Sequence, residues 1–177
     1  MAAVTIMLVL VQPGWARQDD PRLDMLFDTL QRTTNIELAE RIEREIWDIW
    51  TASGDEDLDA LMMRGIRAMS MQDYDVAMVA FDTIVEQAPD FAEGWNKRAT
   101  LYWLMGDYEA SVADIDATLA LEPRHFGALS GLAMIRTSQE RPSDALDALD
   151  KLLYWHPNSP SAKARAKVLE EKLGKGI

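Results

Sequence analysis

The chain has 177 residues, 48% of them hydrophobic and six of them Trp. That is enough apolar content for one ordinary domain with its own core, and too much for a disordered chain. Its 30 acidic and 18 basic side chains give a formal charge of −12 and it has no cysteine, which disfavours nucleic acid as a partner and excludes disulfides, thiolate metal sites and Cys nucleophiles.

Residues Ala2 to Val11 (AAVTIMLVLV) are an uncharged, mostly apolar run followed by Gln12, Pro13 and Gly14-Trp15-Ala16. Small residues at the first and third places of that triplet suit a secretory cleavage site, although no Lys or Arg precedes the run. The run is shorter than the about 20 residues a membrane span needs. Pro13-Gly14 and the polar Arg17-Gln18-Asp19-Asp20 argue against a buried first helix. The expectation is a signal peptide over 1–16, a mature chain with no integral membrane segment, and a periplasmic or secreted location; if the segment is not a signal, the location is cytoplasmic.

From Asp20 to Trp50 the pattern is helical. Leu23, Leu26, Phe27 and Leu30 share one face, and Pro21 suits a first turn. Ile36, Ala39, Ile42, Ile46, Trp47, Ile49 and Trp50 form a second stripe. Between them lie Glu37, Glu40, Arg41, Glu43, Arg44 and Glu45, a charge run read as a solvated face. Past Gly54-Asp55-Glu56-Asp57 three helix pairs are predicted: Leu58 to Ser70 with Tyr74 to Gln87, Ala92 to Leu104 with Tyr108 to Leu121, and Phe126 to Ser138 with Pro142 to Trp155. Pro89, Pro123 and Pro157, spaced 34 residues apart, end each second helix. Ser161 to Leu173 reads as a final amphipathic helix that caps the array, closed by Gly174.

The residues between the prolines keep the same period. Counting units from Leu58, Ala92 and Phe126, small residues recur at the eighth position (Gly65, Ala99, Ala133) and the twentieth (Ala77, Ser111, Ala145). Large ones recur at the twenty-fourth (Phe81, Ile115, Leu149) and twenty-eighth (Val85, Leu119, Leu153). Such a period predicts stacked helical hairpins, with small side chains where the two helices of a unit approach closely. Aligned backward, Leu23, Phe27, Leu30, Ala39 and Trp47 fall in register, so 17–57 reads as a degenerate first hairpin at the open end of the stack. Three units follow over 58–91, 92–125 and 126–159, then a capping helix and tail over 160–177.

Trp95, Ala99, Tyr102, Gly106-Asp107-Tyr108, Ser111, Ile115, Leu121 and Pro123 of the second unit resemble the tetratricopeptide repeat family. The likeness is strong from Leu58 to Pro157. The third unit departs at Arg136 and at Arg141-Pro142. The blocks AEGWNKRATLYWLMGDY and LALEPRHFGALSGL are also similar to those of a small exported bacterial repeat family. The resemblance implies an all-α, right-handed solenoid of antiparallel helix pairs whose first helices line a concave groove. Carried over position by position, the candidate groove residues are Met62, Ile66 and Met69 in the first unit. The second supplies Asn96, Thr100 and Trp103, the third Ser130, Met134 and Thr137. Members that grip a C-terminal carboxylate use Lys and Asn at the fifth and ninth positions, with basic residues two units on. Here those places hold Met62, Ile66, Gly127 and Gly131, so that clamp is absent.

A groove of thioether, indole, amide and hydroxyl suits an apolar peptide or amphipathic helix. Individually Met62, Met69 and Met134 are as readily core, or covered by the N-terminal hairpin. Asn96 and Trp103 are expected on an exposed face. His125 and His156 lack metal-ligand spacing and carboxylates in register, and read as turn or capping residues. No nucleophile elbow, phosphate loop or zincin motif occurs. The expectation is therefore a protein-binding or scaffold module, not an enzyme, without cofactor or metal. Self-association through the Trp47-Trp50 stripe or a terminal face is the alternative, and an enzyme with an unrecognised site a remote one.

Overall fold

A computed structural model describes residues 17–174, and the expected signal segment and its cleavage point lie outside them. Among the described residues the chain folds into nine α-helices and one short 3-10 turn, Arg17–Asp19. They are α1 (Arg22–Arg32), α2 (Ile36–Thr51), α3 (Glu56–Ser70), α4 (Tyr74–Gln87), α5 (Ala92–Met105), α6 (Tyr108–Leu121), α7 (Phe126–Ser138), α8 (Pro142–Trp155) and α9 (Pro160–Lys172). None is long and apolar enough to cross a membrane.

Local chemistry sets the helix ends. Asp55 accepts hydrogen bonds from the Asp57 and Leu58 amides and starts α3 two residues earlier than Leu58, as a side-chain oxygen satisfies orphan donors at a helix start. Asp73, Asp107 and Ser159 cap α4, α6 and α9 in the same way. The turn inside each pair needs a left-handed residue. Gly106 fills it with φ 82, while Gln72 and Glu140 hold the equivalent positions at φ 61 and φ 56.

Helices α3 to α8 pair as α3–α4, α5–α6 and α7–α8, and each pair packs on the next, with α9 against α8. The small positions are where the partner helix comes close. A Cβ on Gly65 would stand 2.5 Å from the Phe81 ring, and Ser111 donates its hydroxyl to the Ala99 carbonyl at 2.7 Å. Adjacent pairs are also tied ionically. Arg98 on α5 reaches Asp82 on α4 at 2.8 Å and grips Asp114 on α6 through Nε and Nη2, at 2.7 and 2.9 Å.

The N-terminal hairpin departs from the expected layout. Helices α1 and α2 do pair, but they do not head the stack in front of α3. Their buried residues Leu23, Phe27, Leu30, Ile42, Ile46 and Trp50 share one core with Phe126, Leu129, Leu149 and Leu152. Met62, Phe81 and Ile84 of α3 and α4 form a separate core. The hairpin runs as a strap along the proline-turn edge of the array. Gln18 reaches the Asp90 carbonyl before α5, and Asp24 pairs with Arg124 before α7 at 2.7 Å. Gln31 donates to the Tyr154 carbonyl at 2.9 Å, and the Thr33 carbonyl accepts from Asn158 before α9.

The apolar stripe that aligns with a repeat covers aromatic partners here: Phe27 and Trp50 pack on Phe126, and Phe27 on Trp155. Ile36, placed in that stripe by the sequence, is 58% exposed. The Trp47-Trp50 stripe is turned inward, so it is not a free surface for pairing two chains.

Candidate functional site

The first helices of the last two full units face each other across a cleft. It has a volume of about 240 Å³ and is walled by Asn96, Thr100 and Trp103 from α5, Ile115 from α6, and Ser130, Gly131 and Met134 from α7. Five of the nine residues expected in the groove therefore come together here: Asn96, Thr100, Trp103, Ser130 and Met134. At Gly131 a Cβ would meet only Ile115 Cδ1, at an ordinary contact distance of 3.5 Å. A second hollow of about 270 Å³ lies on the other side of α7, lined by Thr137, Ala164, Arg165, Val168 and Leu169.

The other expected residues have different places. Met62 is buried in the α3–α4 core, and Ile66 and Met69 pack against that core. They contribute no wall to the cleft, because apolar side chains on α3 are drawn to Phe81 and Leu101. Thr137 is exposed and belongs to the second hollow. Asn96 lines the cleft but is not exposed: it is 94% buried, with 6% remaining, and its amide nitrogen donates to Glu93 at 2.8 Å.

That bond belongs to a buried polar cluster the sequence did not reveal. Glu93 and His125 are both fully enclosed, with Nε2 3.0 Å from Glu93 Oε2. His125 Nδ1 accepts from the Ala128 amide at 3.1 Å and so caps α7. The proton is therefore on Nε2, which donates to Glu93. Lys97 completes the arrangement, 2.7 Å from Glu93 Oε1. Burial pushes the Glu93 carboxyl upward, but the His125 hydrogen bond and the Lys97 charge outweigh it and hold the group below its ordinary 4.5. Trp50 stacks on the imidazole at 4.2 Å and 11°, and Trp47 fills the space against Gly127, where a Cβ would stand 2.6 Å from its ring.

His156 has a carboxylate partner as well, Glu43 of α2 at 3.1 Å, and that bond holds the Glu43 carboxyl below its ordinary value despite burial. Neither pair could be read from spacing, because the partners are 32 and 113 residues apart. In both pairs the histidine joins separate elements. Among the described residues no group of three or more His, Asp or Glu is placed to hold a metal ion.

A tetratricopeptide repeat family profile matches residues 96–163. A TPR repeat-containing protein of Rhizobium etli is 38% identical over 166 residues, an alignment covering 94% of this chain and 81% of that protein. The chain belongs to the tetratricopeptide repeat family. Two solved structures share the fold. The first TPR of Spaghetti (RPAP3), bound to the HSP90 peptide SRMEEVD, has a TM-score of 0.62 at 18% identity, covering 66% of this chain and 93% of that one. The Sgt2 TPR domain from Aspergillus fumigatus has a TM-score of 0.63 at 22% identity, covering 68% of this chain and 82% of that one.

Proposed function

We propose that this protein is a non-enzymatic interaction module that holds a peptide or helix of a partner protein in the cleft between α5 and α7. One observation carries the reading: five of the expected groove positions, from two successive units, converge on an apolar hollow that no residue of the strap lines. A solved structure of the same fold with a bound peptide supports the class of ligand. Met134 is 36% exposed on the rim and Trp103 forms a wall, so Met134→Ala and Trp103→Ala should each weaken capture of a cleft-binding peptide about tenfold or more. Met134→Ala should do so with little change in melting temperature. Equal capture by the wild type and both variants would place binding elsewhere. Asn96→Ala is a poor probe, since it also breaks the Glu93 cluster.

We place the mature protein in the bacterial cell envelope, on the apolar run before Ala16. N-terminal sequencing of exported material should begin at Arg17, and an intact Met1 in cytoplasmic material would overturn that location. Self-association, the alternative, would use a terminal face of the array: that of α3 and α4, where Met63 is 59% and Val79 64% exposed, or that of α8 and α9, where Tyr154 is 66% and Val168 63% exposed. A concentration-independent monomer by light scattering would remove it.

A further inference from the structure

The buried carboxylates of α5 and α6 have partners of their own. Glu93 is bound by Lys97 and by His125 Nε2, and Asp114 by Arg98. On the far side of α7 the balance is reversed. Arg165 of α9 lies half-buried in the wall of the second hollow. Its guanidinium donates from Nη1 to the Ser130 hydroxyl at 2.9 Å and from Nη2 to the Ser130 carbonyl at 3.2 Å. Both acceptors are neutral. No carboxylate pairs with Arg165 among the described residues, and burial alone draws its pKa down. A guanidinium has five donors in a planar fork, and two bonds to one serine leave the rest unused. Other cations without a carboxylate partner, such as Arg64 and Lys167, are exposed, whereas Arg165 is half-buried.

Ser130 gives this placement its meaning. It lines the α5–α7 cleft, and the same residue holds the Arg165 head. An apolar side chain seated against Trp103, Ile115 and Met134 would therefore end close to an uncompensated positive charge. Building on the cleft reading above, we propose that the cleft recognises an internal segment of a partner in which an apolar anchor residue is followed, at fixed spacing, by a side-chain carboxylate that pairs with Arg165. A free C-terminal carboxylate fits less well. At the fifth and ninth positions of α5 stand Asn96 and Thr100; the Asn96 amide is committed to Glu93 and the Thr100 hydroxyl to the Asn96 carbonyl at 2.9 Å, so no second cation or free amide on α5 completes a terminal clamp.

The test uses the full mature chain and two synthetic libraries of random dodecapeptides, one with amidated and one with free C-termini. The amidated library should yield binders with Leu, Met or Phe at a fixed distance from Asp or Glu. Changing that acid to its amide, or Arg165→Met in the protein, should each weaken binding about tenfold, and both together should weaken it little further. Arg165→Lys, which keeps the charge but loses the fork, should fall between. Binders that depend on Trp103 but show no acid preference would overturn the Arg165 assignment and leave the cleft reading intact. Enrichment confined to free C-termini would also overturn it, and absence of any cleft-dependent binder would sink both.

Discussion

At the residue scale, side chains that conflict with a local rule show where the repeat is strained or polar by design. Glu140 occupies a left-handed turn position at φ 56 that Gly106 fills in the preceding unit. A Cβ is disfavoured there, so Glu140→Gly should stabilise the fold by up to about 1 kcal/mol in urea unfolding. Arg98 works the other way. Its removal would strand Asp114, which is 4% exposed, so Arg98→Met should destabilise by about 3 kcal/mol. Adding Asp114→Ala should recover part of that loss, because it removes the orphaned charge. Glu93 sets an acid limit. Its carboxyl is held below the ordinary 4.5 in the folded state, so its stabilising contribution is complete above that pH and is lost as pH falls further. Thermal melts should show stability declining below about pH 4.5, and Glu93→Gln should flatten part of that decline. An unchanged slope in the variant would assign the decline to other carboxylates, Glu43 first.

At the element scale, each helix within a unit follows from its own sequence, and the strap does not. Gly65, Ala99 and Ala133 mark close helix contacts because only small side chains fit there, and that constraint is local enough to read. Most helix bounds match for the same reason: Asp73, Asp107 and Ser159 bind amides a few residues away. The docking of α2 depends on Trp47 against Gly127 and Trp50 against His125, contacts between residues far apart in sequence. An apolar stripe on α2 states that a face will be covered, but not by what. Asn96 was legible as a cleft residue and misread as exposed, since nothing in its own helix announces that His125 will fix the Glu93 carboxylate beside it. Gly127→Ala tests the docking directly. The added methyl would clash with the Trp47 ring, so amide exchange in α1 and α2 should accelerate while α3 and α4 keep their protection. Uniform acceleration throughout would mean that the strap is not a separate unit.

At the scale of the whole molecule, the described residues form three cores of unequal reach. The largest joins α1 and α2 to α7, α8 and α9; a smaller one belongs to α3 and α4 with Phe91 and Leu101, and another to α5, α6 and α7 around Ala99, Ile115 and Ile135. In a simple repeat array each unit contacts its neighbours alone, and the end units serve as caps. Here the residues first in the chain complete the core of the last units. The bond from Gln31 to Tyr154 spans 123 residues and that from Glu43 to His156 spans 113. During synthesis α1 and α2 emerge with nothing to cover, and must wait until α8 is made before the aromatic face of Trp47, Trp50 and Phe27 can be buried. Long-range contacts of this kind slow folding and leave apolar surface open meanwhile. Of the described helices, the first two in sequence are thus the last to find their full core, and their aromatic face is the surface most open to misassociation until then.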